Sequence, residues 1–156
     1  MGALHDRDFY AWTQEQVRLL RRARDSGSNL ALDWDGLIEE IEGLGASEAN
    51  ELTSNLARIL EHLAKLAWSP ASDPRRVWTS SVKEHRARVR IRLRRSPSLK
   101  RRLSDLLVDA WEIALPRLAR SLPSLRDGSP LPETCPFTID QALDPDWYPP
   151  APGPKA

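Results

Sequence analysis

The sequence predicts an all-α fold: one bundle of about five helices, closed by a proline-rich C-terminal arm. Three observations carry this prediction. Apolar residues recur at steps of three and four over most of the first 120 positions, the spacing that puts them on one side of a helix. Of 13 prolines, nine lie between Pro123 and Pro154, leaving only Pro70, Pro74, Pro97 and Pro116 in the body. Proline lacks the donor that a helix interior needs, so the body is permissive for helices and the arm is not. Finally, the single strictly alternating stretch, Arg86 to Arg94, has no second stretch with which to pair as a strand.

The elements follow in chain order. Phe9, Trp12, Gln16, Leu19, Leu20 and Ala23 define a first helix from about Asp8 to Arg24, ended by Ser26-Gly27-Ser28. Asp33 or Asp35 caps a short second helix bearing Leu37, Ile38, Ile41 and Leu44, and Gly45 is its expected stop. Ser47 opens a third, whose stripe of Leu52, Leu56, Ile59, Leu60, Leu63, Leu66 and Ala67 is the cleanest in the chain. Residues 69–74 form a turn. Trp78, Val82, His85, Val89 and Leu93 step as a fourth helix, which the high helix propensity of Arg and Leu favours over a strand. On that helix Ile91 points away from Trp78, so either the helix is covered on two sides or Ile91 sits exposed among arginines. Ser96-Pro97-Ser98 is a break with a capping serine, or Pro97 equally opens the next helix at its first position, and the residues Leu99 to Ala114 make a fifth helix that Pro116 kinks or shortens. In the arm, about residues 123–148, Thr138 caps a short turn from Ile139 to Leu143. Phe137, Trp147 and Tyr148 anchor the arm on the body, since large aromatics are costly to leave in water. Domain organisation is thus one domain over residues 1–148 and a disordered tail over 149–156.

The order DFYAWTQEQVRLLR, LIEEIEGLGASEANEL, VWTSSVKEHRARV, SPSLKRRL and CPFTIDQALDPDWYP resembles the bacterial domain-of-unknown-function family number twenty-nine, from about Asp8 to Tyr148. LIEEIEGLG and CPFTIDQAL are its most specific pieces. The resemblance implies a small, soluble, mostly helical bacterial protein and supplies no catalytic residue, cofactor or substrate. The segment after Trp78 is richer in arginine than the family pattern.

Charge is the most informative functional signal. From Arg75 to Arg102 there are 12 Lys and Arg against one acid, Glu84, in a chain whose net charge is only +1. From Asp33 to Glu61 eight acids face one basic residue, Arg58. Such segregation has three readings: the basic helix pairs with the chain's own acidic helices, it recruits phosphate, or it docks on the acidic face of another copy. The surface assigned to a partner comprises Arg86, Arg88, Arg90, Arg92, Arg94 and Arg95, with Ile91 as an apolar contact. Glu40, bordering the apolar stripe of the second helix, is placed to pair inward with Arg86 or Arg90.

Other chemistry draws little support. Glu39, Glu42, Glu61 and His62 form the one conceivable metal-enzyme set, joined by Glu40 and His85. Adjacent Glu61 and His62 diverge by about 100° on a helix, and no Glu-x-x-His spacing is present. His85 reads as a boundary histidine with one hydrogen bond. Cys135 reads as a buried filler, since no base stands beside it in sequence. Phosphate-loop and nucleophile-elbow motifs are missing. Trp12, Trp34, Trp68, Trp78 and Trp111 read as core plates. No apolar run approaches the ~20 residues of a membrane helix, the first residues lack a signal-peptide pattern, and one cysteine cannot form an internal bridge. The expectation is a cytoplasmic, non-enzymatic binding or assembly module without cofactor or metal, with a protein partner or self-association, no membrane role, and nucleic acid as the alternative ligand.

Overall fold

The computed structural model describes residues 3–152. Six α-helices and a 3₁₀ helix run in the order α1 (Leu4–Arg7), α2 (Phe9–Asp25), α3 (Trp34–Trp68), α4 (Arg75–Arg95), the 3₁₀ helix (Pro97–Arg102), α5 (Leu103–Ser121) and α6 (Ile139–Leu143). Among the described residues no strand occurs. The alternating arginines of α4 are therefore helical, and the fold is all-α.

Local chemistry explains most boundaries. Asp8 is extended and its carboxylate accepts from Ala11 N at 2.9 Å, capping α2. Gly27 takes a φ of 77° just beyond that helix, a conformation cheap for glycine alone. Asp33, rather than Asp35, caps α3 through Gly36 N at 3.0 Å. Thr138 and Gln141 form a reciprocal capping box on α6, over the predicted residues Ile139–Leu143.

Three predicted boundaries are corrected. The second and third helices are one helix of 35 residues, unbroken at Gly45. A Cβ on Gly45 would come within 2.6 Å of the Thr13 hydroxyl. Its glycine serves close packing of α2 on α3 rather than a helix stop. Leu99 lies in the 3₁₀ helix, so α5 starts at Leu103. That helix also continues through Pro116 to Ser121. One lost backbone bond is tolerated because Ala114 and Leu118, on either side of the proline, are fully buried.

The chain divides into two compact units, one of residues up to Glu51 with Ile91–Arg101, the other of Leu52–Arg90 with Arg102 onward. In the first, α1 and α2 are joined by an aromatic group, with Phe9 stacked on Trp12 and the His5 ring edge-on to both. One carboxylate, Asp8, also accepts from Ser98 N at 2.7 Å and Ser98 Oγ at 2.8 Å, so it serves the starts of both α2 and the 3₁₀ helix.

The second unit holds the larger apolar core. Leu52, Leu56, Ile59, Leu60 and Leu63 of α3 are completely buried, each contributing about 1.5–3 kcal/mol by leaving water. Val82 and Val89 of α4, and Ala110, Trp111, Ala114 and Leu118 of α5, complete it. The arm is anchored here as predicted: Phe137 lies among Trp68, Trp111 and Trp147, and Trp111 Nε1 donates to Pro132 O at 3.0 Å. Of the predicted tryptophan plates, only Trp111 is a core residue; Trp12, Trp34, Trp68 and Trp78 are half-buried. Pro149–Pro152 has no regular structure, and the rest of the predicted tail lies outside the described residues.

Candidate interaction surfaces

The seven residues assigned to the partner surface have divergent fates. Val82, Arg86 and Val89 follow each other at steps of four and three, so Arg86 faces inward with the two valines. It is 1% exposed and cannot belong to an outer surface. Its guanidinium donates from Nε to Ala142 O at 2.8 Å, and from one terminal nitrogen to Gln141 O at 3.0 Å and Trp147 O at 2.9 Å. Two of those carbonyls belong to α6, a helix too short to satisfy its own C-terminal acceptors. The Tyr148 ring lies 4.9 Å from the guanidinium carbon. Burial pushes the guanidinium pKa below its ordinary value. Arg86 is thus the pin that holds the arm, and the predicted Glu40 partnership does not form: Glu40 is exposed.

Arg92 and Arg95 are also engaged. Arg92 donates to buried Glu48 at 2.8 Å and pairs with Glu51. Arg95 stands 3.5 Å from Glu48 and 4.3 Å from the Phe9 ring. Ser96 Oγ donates to Glu48 at 3.1 Å and accepts from Tyr10 N. Internal pairing of the basic and acidic helices is therefore real for these two arginines.

The remaining residues face outward. Ile91 sits roughly 180° around the helix from Val82 and is 57% exposed. Arg88 and Arg94, three residues to either side, flank it by about 60° each, and Arg90 is exposed as well. Arg88 bonds Glu84 at 2.7 Å, an exposed pair worth less than about 1 kcal/mol.

Sequence reasoning missed a second surface, in the second unit. Along α5, Val108, Trp111, Glu112 and Leu115 line one wall of a groove of about 470 Å³, and Glu133, Thr134, Cys135 and Phe137 of the arm supply the other. Its floor is Trp111 and Phe137, both buried; Val108 is 65% exposed and Glu112 and Glu133 stand in solvent. The proline-rich arm gives no periodic signal that it would run beside α5, so only the exposed Val108, off the α5 stripe, hinted at it. Cys135 lines this groove, donates to Phe137 O at 3.4 Å, and is held above the ordinary thiol pKa by burial. A thiol so placed is a poor nucleophile at neutral pH.

The conceivable metal set is dispersed. Among the described residues no three of His, Cys, Asp and Glu gather around one point. Glu61 bonds Arg58 and Lys65, at 3.2 and 3.1 Å. His85 Nδ1 shares a 2.8 Å hydrogen bond with Asn55 Oδ1, in keeping with a boundary histidine. His62 Nδ1 is buried without a hydrogen-bond partner. Burial lowers the pKa of both histidines.

These elements match a family model, described as a domain of unknown function, DUF29, over residues 4–148. The chain belongs to the DUF29 family. A crystal structure of an α-helical protein of unknown function from Rhodospirillum rubrum is similar to this DUF29 chain, with a TM-score of 0.73 and 24% identity. The match covers 94% of this chain and 93% of the other, and it establishes the fold alone. A search of the curated proteins finds no match. Among the described residues no helix is long and apolar enough to cross a membrane.

Proposed function

We propose that this DUF29 chain is a non-enzymatic assembly module that binds another protein molecule, a second copy of itself in the first instance, through the outer side of α4. The observation that carries the reading is Ile91, a large apolar side chain held in solvent on a rigid helix and ringed by Arg88, Arg90 and Arg94. An apolar centre with arginine around it has the composition of an interface hot spot. The pairing of Arg92 and Arg95 with acids narrows the surface to these four residues. A lone thiol fits a reducing compartment, and we place the module in the cytoplasm.

Light scattering across a concentration series tests the reading. The average mass rises with concentration for the unaltered chain and stays monomeric for Ile91→Asp; an unaltered chain that remains monomeric throughout overturns it. Nucleic-acid binding by the same arginines has less support, because burial of Arg86 and the pairing of half-buried Arg92 with Glu48 and Glu51 remove two of six cations from reach of phosphate. If it held, affinity for DNA or RNA would fall steeply with salt and vanish when Arg88, Arg90 and Arg94 become Glu.

A further inference from the structure

Resting on that reading, we propose that the outer side of α4 in one copy docks head-to-tail into the groove between α5 and the arm of the next, with Ile91 seated beside Val108 and over Trp111 and Phe137. Charge complementarity selects this occupant. The groove is apolar within and carries two carboxylates, Glu112 and Glu133. The helix face is its inverse: one apolar side chain with a guanidinium three residues before and three residues after it. Arg88 and Arg94 are separated by about 9 Å along the helix axis, so they reach the groove on either side of the inserted isoleucine. Glu84, the present partner of Arg88, is exposed and readily exchanged for a groove carboxylate.

In this head-to-tail arrangement the contact is heterologous and each copy offers one knob and one groove, so growth into a ring or a filament follows. Val108 and Ile91 are both well exposed, so substitution at either leaves folding intact.

Mixing two variants provides the test. Ile91→Asp has a groove and no knob; Val108→Arg has a knob and no groove. Each alone is monomeric, with association weakened about 30-fold or more, as loss of a central contact implies. An equimolar mixture forms a one-to-one heterodimer that does not grow with concentration, because each partner keeps one intact surface. Exchanging charge on top of these two variants, with Glu112→Lys and Glu133→Lys added to the Ile91→Asp chain and Arg88→Glu and Arg94→Glu added to the Val108→Arg chain, restores the same heterodimer. Association of Val108→Arg at the unaltered level overturns the groove assignment while leaving the α4 reading standing. So does a mixture that stays monomeric. An unaltered chain that never associates overturns both.

Discussion

Arg86 and Ile91 lie five residues apart on one helix and exchange the places their chemistry would choose. The arginine is buried in an apolar stripe; the isoleucine stands in water. Helix geometry accounts for both positions, since Arg86 is in step with Val82 and Val89 and Ile91 is opposite them. Burying a guanidinium is tolerable only where most of its donors find acceptors, and the arm supplies three carbonyls to Nε and one terminal nitrogen, leaving the other terminal nitrogen buried without a hydrogen-bond partner. Nothing equivalent covers Ile91 among the described residues of its own unit. The inward exception has a structural explanation, and the outward one carries the proposed contact surface.

The contrast can be broken most severely at Arg86. Arg86→Leu leaves three arm carbonyls without their donor and costs about 3–5 kcal/mol in urea unfolding. A loss below about 1 kcal/mol would show that the arm is held by its aromatics alone. Arg92→Ala removes the closest cation from buried Glu48 and costs about 1–3 kcal/mol by the same measurement. An effect no larger than that of Arg94→Ala would place Arg92 with the outward residues instead.

Acidity produces a smaller, graded effect. His62 and His85 have folded pKa values below their unfolded ones, so the unfolded chain binds more protons. Their contribution is complete above the unfolded value near 6.5 and is lost as pH falls through the folded values. Melting temperature followed from pH 8 downward therefore starts to drop below about pH 6.5, and His62→Gln with His85→Gln flattens that part of the profile. An unchanged slope in the double variant would assign the drop to carboxylates. Smallest of all, Ile91→Asp and Arg94→Ala shift unfolding stability by no more than about 0.5 kcal/mol. A larger loss would mean that this face is packed within the molecule and is no contact surface.

Much of the architecture was legible because it is encoded locally. Asp33, Thr138 and Gly27 sit at helix ends with side chains or backbone freedom suited to that position, and Phe137 had to find a core. Gly45 was misread because a glycine that stops a helix and one that lets Thr13 approach look alike in sequence. Pro97 marked a break, while the 3₁₀ turn that it opens is held by Asp8, 90 residues from Ser98. For the candidate surfaces, Ile91 was identifiable from helical phase. The same phase places Arg86 inward, yet its charge argued for solvent, and its acceptors lie 55–61 residues further along. The α5 groove depends on where the arm lies, which no periodicity encodes.

The arm pin also ties the second unit together across a long stretch of chain. Arg86 on α4 meets acceptors at residues 141–147, 55–61 positions further along, so the pin is a contact of high sequence separation. A chain cut after α5 lacks those three acceptors and leaves the inward guanidinium of α4 without them.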